Sequence, residues 1–291
     1  MIALGLSGWG DHDLLYPNKR LAAAKLPSYA QWFPAVELDS SFYAVQPERN
    51  MRKWVEETPP PFRFLVKAYQ GMTGHARGDI PFADEEAMYE AFRASLEPML
   101  EADKLEAALF QYPPWFDCTR DNVALLRTAK ARMRGIRCAI EFRHASWYAP
   151  GLREKTLAFL REEGWVHSVC DEPQVGDGSI PIVEEVTDDE LTVVRFHGRN
   201  VGGWRSSGQP NWREVRYLYR YDEEELMDWA ERLRRLERQS ERLCVIFNNN
   251  SGGDAAANAL QLMRMLELQP PREHFEPDPP DEEPPEQLSL F

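Results

Sequence analysis

The sequence predicts an α/β protein, a closed (β/α)8 TIM barrel, with a disordered C-terminal tail rich in proline and acid. Three observations lead there. Short apolar segments recur along the chain, each ending in one polar residue: Ser7, Glu37, Lys67, Gln111, Glu141, Asp171, His197 and Asn248. Most of these ends lie roughly 30 residues apart with helical periodicity between them, the length of one strand-plus-helix unit. Eight such units over about 250 residues are what an eight-stranded barrel requires. The carboxyl ends of its strands share one face, so the eight polar ends are expected to meet in one pocket.

At 291 residues and 43% hydrophobic content, the chain can bury one large core. It has no apolar run of about 18 residues, so no membrane span is expected. The opening Met-Ile-Ala-Leu-Gly-Leu lacks a basic region and reads as a first strand, which implies a cytoplasmic location. Cys138, Cys170 and Cys244 fall in strands and Cys118 follows a turn; no Cys-x-x-Cys pair occurs, so core packing is their expected role. The net charge of −14 is unevenly spread, because Arg195 to Arg220 holds six arginines and one acid.

Taken in order, Ile2–Leu6 is the first strand and runs into the Gly8-Trp9-Gly10 turn. A helix is expected around Ser28–Phe33, then a strand whose alternating Glu37 and Asp39 would share one side if it stayed extended. Pro47 suits the first turn of a helix carrying Met51, Trp54 and Val55. Phe62–Lys67 is the third strand, followed by a loop at Gly71–Gly78 and a helix from Asp84 with Met88, Phe92, Leu96 and Leu100 at helical spacing. Ala107–Gln111 stops at Pro113-Pro114, and a helix starts near Asp121. The stretch Ile136–Trp147 is an apolar strand that ends in Glu141, Arg143 and His144. Leu152–Glu163 is a helix closed by Gly164, and Val166–Cys170 delivers Asp171. Thr192–Phe196 delivers Arg195 and His197; after it, Gly198–Tyr221 reads as a lid rich in arginine and aromatic residues, including Trp204, Trp212 and Tyr217. Asp222 caps a charged helix, and Leu243–Phe247 ends at Asn248-Asn249-Asn250-Ser251-Gly252-Gly253, a turn expected to offer backbone N–H groups to an anion.

Residues 1–268 form the expected barrel domain. From Gln269 to Glu286 there are seven prolines and seven acids, too little apolar surface to fold, so an extended linker is expected. Gln287 to Phe291 is the expected docking peptide.

With these residues in view, the chain resembles the YecE-like family, domain of unknown function 72, across residues 2 to 268. The resemblance rests on Ser7-Gly8-Trp9, Glu37 with Phe42-Tyr43, Val66-Lys67, Gln111 with Pro113-Pro114, Glu141-Phe142-Arg143-His144 with Ser146-Trp147, Arg195-Phe196-His197-Gly198-Arg199, and Phe247-Asn248-Asn249. It implies the same barrel and no particular activity. The chain departs from the family pattern at Leu6, Asp39 and Tyr112. The terminal Gln287-Leu288-Ser289-Leu290-Phe291 resembles the bacterial sliding-clamp binding pentapeptide: Leu288, Leu290 and Phe291 supply an apolar anchor and Gln287 supplies hydrogen bonds.

Glu141, Asp171, His197 and Glu37 are the catalytic candidates, since buried carboxylates and imidazoles can be tuned for proton transfer. Lys67, Arg143 and Arg195 would hold an anion, with Gln111, Asn248, Asn249, Trp147 and Tyr43 completing the substrate site. A divalent metal on the four catalytic candidates is open; with no His-x-x-x-His spacing and with cations nearby, a metal-free charge network is favoured. The favoured function is a clamp-tethered hydrolase, a phosphodiesterase or glycosyl hydrolase, acting on nucleic acid or a phosphorylated product of DNA repair. A fold analogy to apurinic-site endonuclease barrels points the same way. The alternatives are a small-molecule enzyme on a sugar or sugar-phosphate, and a non-catalytic clamp adaptor.

Overall fold

The structure is a computed structural model that describes residues 1–205 and 215–271. Eight parallel strands close into a barrel in sequence order: β1 (Ile2–Ser7), β2 (Ala35–Leu38), β3 (Arg63–Lys67), β4 (Leu105–Gln111), β5 (Cys138–Glu141), β6 (Trp165–Asp171), β7 (Leu191–Phe196) and β8 (Arg242–Phe247). Every position of β6 and β7 is buried, because helices cover one face and the lumen the other. The main surrounding helices are α1 (Lys19–Ala23), α2 (Lys25–Tyr29), α3 (Ser40–Tyr43), α4 (Glu48–Glu56), α5 (Glu85–Glu101), α6 (Arg120–Arg132), α7 (Arg153–Glu163), α8 (Val201–Arg205), α9 (Glu223–Glu237) and α10 (Asp254–Met265).

Local chemistry sets the helix ends. The Asp84, Thr119 and Asp222 side chains accept the backbone N–H groups of Ala87, Asn122 and Glu225, and Glu225 returns the bond to Asp222 as a capping box. Gly164, at φ 69°, closes α7 in the left-handed region. Two expectations needed correction. The helix near Ser28–Phe33 is α2, which starts earlier, at Lys25, and stops at Tyr29. Asp39 is not extended; it sits at φ −81°, ψ −26° and opens α3.

Inside the barrel, an apolar layer of residues including Ala35, Leu65, Leu109, Val166, Val193 and Ile246 fills the lumen. Gly5 belongs to this crowded level, because a Cβ there would collide with the Ala35 carbonyl. A much larger apolar cluster lies between the strands and the helices. The period-2 alternation of each strand decides which residues face which cluster. No helix among the described residues is long and apolar enough to cross a membrane. Gln287, Leu288, Leu290, Phe291 and Trp212 lie outside the described residues.

Candidate functional site

Above the apolar layer the lumen turns ionic. Arg195, on β7, extends across the axis and grips Glu37 of β2 with two bonds, Nε to Oε2 at 2.8 Å and Nη2 to Oε1 at 2.7 Å. Its Nη1 donates to Glu141 Oε2 of β5 at 2.5 Å. The other Glu141 oxygen accepts from Arg143 Nε at 2.6 Å, and Arg143 Nη1 donates to Glu172 Oε2 at 2.8 Å. All five side chains are buried. The guanidinium fork suits this layer because it satisfies two carboxylates at once.

These contacts set the protonation states. Burial alone would raise Glu141, but Arg143 and Arg195 outweigh it and hold the carboxyl well below its ordinary range. Glu172 shares Arg143 with Glu141, and burial pushes it up to about 7. Burial, aided by Arg143, pushes His197 well below its usual value, so the imidazole is neutral. Arg143 Nη2 lies 3.0 Å from His197 Nε2 and can only donate, so Nε2 accepts and the ring proton sits on Nδ1. The Asn248 amide is 3.1 Å from Nδ1. The atom at that distance is Nδ2, which cannot accept the Nδ1 proton, so the bonding assigns the amide the reversed orientation, with Oδ1 towards the ring and NH2 towards the cavity.

The cavity over this layer measures about 1240 Å3. Lys67, Arg143, Gln111 and Asn248 reach it from the strand ends, and Tyr43 lines it from the β2 side. Its lining holds the bases Lys67, Arg77, Arg143, Arg205 and Arg216 and the acids Asp39 and Asp79; with Lys67 bonded to Asp39 and Arg143 to the underlying Glu141 and Glu172, the positive excess of this face comes from Arg77, Arg205 and Arg216 in a chain of net charge −14. Lys67 donates to Asp39 at 2.8 Å; burial would lower it, but Asp39 and Glu37 raise it, so it stays charged. Arg216 lies 3.9 Å over the Trp204 ring, and Arg143 is 5.3 Å from the same ring.

Several expected site residues sit elsewhere. Glu37, Glu141, Arg195 and His197 form the layer beneath the cavity and are not among its lining residues; they hold Arg143 and Asn248 in place. Asp171 points the other way. In the register Cys170 pairs with Arg195 on the lumen side and Asp171 pairs with Phe196 on the outer side. The Asp171 carboxylate accepts from Trp229 Nε1 at 2.6 Å and from Arg199 at 2.8 Å. The neighbouring acid, Glu172, takes the inward place; reading the parity of β6 from Arg195 would have found it. Trp147 is a core residue: it stacks on Phe142 with centroids 4.0 Å apart and donates Nε1–H to Phe116 O at 2.7 Å. Asn249 is also structural, donating to Tyr219 O and Asn258 Oδ1, each at 2.9 Å. The expected anion cradle after β8 carries its own charge, since Asp254 occupies the first turn of α10.

Glu141, Cys170 and His197 bring possible ligand atoms within 4.8 Å of one another. Both Glu141 oxygens already accept from guanidinium groups, His197 Nε2 accepts from Arg143, and burial pushes the Cys170 thiol well above its usual value. This set does not fit a cation.

The sequence profile of a family described as "Protein of unknown function DUF72" matches residues 3–284. The UPF0759 protein YunF of Bacillus subtilis is 57% identical over 270 residues, covering 92% of this chain and 96% of that protein. The UPF0759 protein YecE of Escherichia coli is 26% identical over 157 residues, 54% of each chain. A crystal structure of a DUF72 family protein from Enterococcus faecalis superposes with a TM-score of 0.88 at 37% identity, covering 95% of this chain and all (100%) of that one. One from Thermotoga maritima gives 0.78 at 33% identity, with 92% and 99% covered.

Proposed function

The chain belongs to the DUF72 family, and from that premise we propose that its barrel mouth binds the phosphate backbone of nucleic acid, or of a phosphorylated product of DNA repair. The terminal Gln287–Phe291 peptide would hold it at the replication clamp. The observation that carries the reading is the positive excess at the cavity, where Arg77, Arg205 and Arg216 stand against Asp79 beside the carboxylate-bonded Lys67 and Arg143, in an otherwise acidic protein. Its volume of about 1240 Å3 exceeds the roughly 300–1,000 Å3 of pockets for small ligands, which favours an extended anion over a single sugar-phosphate. Arg143 and Lys67 would grip phosphate oxygens, and Asn248 would add a neutral donor. Hydrolysis by Glu141 or His197 would require those groups to leave the guanidinium contacts that hold them, so the geometry favours recognition over turnover.

Oligonucleotide binding by the full chain tests this. The logarithm of affinity should fall with the logarithm of salt concentration, and Arg205→Ala and Arg216→Ala should each reduce the slope by about 0.7 for a single strand. A salt-independent affinity, or binding of a hexose phosphate in place of the oligonucleotide, overturns the reading. Hydrolysis is read in the same samples by product release from abasic and nicked strands. For the clamp, the full chain should bind and a chain ending at Glu286 should not; equal binding by both removes the peptide from the argument.

A further inference from the structure

Exposing a large aromatic ring to water is unfavourable, so its placement is informative. Among the described residues, Tyr43 at 56% and Trp115 at 59% are the large aromatic side chains that stand exposed, and both line this one cavity. Tyr43 ends α3, after β2, and Trp115 lies in the loop after β4, and a chain of edge-on contacts joins them. Trp115 meets His75 at 5.8 Å, His75 meets Phe42 at 5.1 Å, and Phe42 meets Tyr43 at 5.3 Å, with interplanar angles of 66°, 80° and 88°. Edge-on packing leaves the outer ring faces available to a planar guest.

This wall brings no charge of its own at neutral pH. Burial, then Lys67 and Arg143, push His75 down to about 4, leaving it neutral. The charge begins at its edge, where Lys67 Nζ lies 4.6 Å from the Phe42 ring centroid, and continues across the cavity where Arg143 and Arg216 flank Trp204. An apolar planar surface beside a cationic one matches a ligand with a flat ring and an attached phosphate.

We propose that Trp115 and Tyr43 form a stacking platform for an unpaired nucleobase, whose phosphates are directed to Lys67, Arg143 and Arg216, so that the mouth takes single-stranded nucleotide units in preference to duplex. The proposal rests on the phosphate-binding reading above and adds which form of nucleic acid is taken. Duplex bases present only their edges, whereas a single strand offers its base faces to stack.

The test uses the full chain and four probes: a single-stranded DNA, a strand of the same length made of base-less sites, the corresponding duplex, and a hexose phosphate. The wild type should bind the base-bearing strand roughly 5- to 150-fold tighter than the base-less one for each stacked base. Trp115→Ala and Tyr43→Ala should shrink that difference while leaving affinity for the base-less strand unchanged. Because both side chains are exposed, the unfolding temperatures of these variants should match the wild type. Equal wild-type affinity for the two strands, duplex binding as tight as single-strand binding, or loss confined to the hexose phosphate overturns the platform but leaves the phosphate reading standing. Absence of binding to every strand overturns both.

Discussion

Replacing Arg195 by Met tests the idea that the ionic layer is one interdependent unit. Arg195 makes bonds of 2.5 to 2.8 Å to Glu37 and Glu141, and all three side chains have zero exposure. Solvent therefore cannot take over when the cation goes. Removing one partner of a buried ion pair typically costs about 3–5 kcal/mol, mostly the penalty of stranded charge. For a domain of this size, each kcal/mol lowers the melting temperature by about 2–4 °C, so Arg195→Met should melt roughly 6–20 °C below wild type. Neutralising both carboxylates as well, in Arg195→Met with Glu37→Gln and Glu141→Gln, should recover much of that loss. The pH response has a defined sign. In the wild type Glu141 is depressed, so its contribution is present above the ordinary carboxyl value and is lost as pH falls. Arg195 is one of the two cations that hold Glu141 down, so without it the variant should lose less stability than wild type on acidification. Circular dichroism melts at neutral pH, and in a series taken down through and below the ordinary carboxyl range, read all of this. A drop of less than about 3 °C, or a triple variant no better than the single one, would refute the reasoning.

Two further outcomes follow from the same geometry. Glu172, pushed from 4.5 up to about 7 by burial, makes the folded chain bind an extra proton. That contribution is full below the ordinary value and fades as pH rises through about 7, so Glu172→Gln should flatten the stability profile between pH 5 and 8; an unchanged profile argues against the assignment. Trp147→Phe keeps the stack on Phe142 but loses the bond to Phe116 O, at a cost of about 1 kcal/mol and a melting shift of about 2–4 °C. Oligonucleotide affinity should stay the same; a fall in affinity with no thermal shift would return Trp147 to the binding site.

The order of the chain carried a great deal. Apolar segments ending at Ser7, Glu37, Lys67, Gln111, Glu141 and Asp171 became strand ends at those residues or within one of them, and His197 and Asn248 follow directly on β7 and β8. A strand is a local event, marked by side-chain type and ended by turn residues, and eight such events at barrel spacing leave little choice of architecture. Depth and facing were different. Asp171 and Glu172 are adjacent acids at the end of β6, and only the register of β6 with β7 decides that the second faces the lumen and the first faces Trp229. Glu37, Glu141 and His197 stand at strand ends as the sequence implied, yet closure of the barrel lays Arg195 across them and leaves Arg143, Lys67 and Asn248 among the groups that line the cavity. Trp147 and Trp115 are the same residue type in neighbouring loops, one buried on Phe142 and one exposed at the cavity. A sequence lists donors, acceptors and rings in order along a line. Which of them water or a ligand can reach depends on contacts between residues distant in that order, such as Arg195 with Glu37, and those exist only once the barrel has closed.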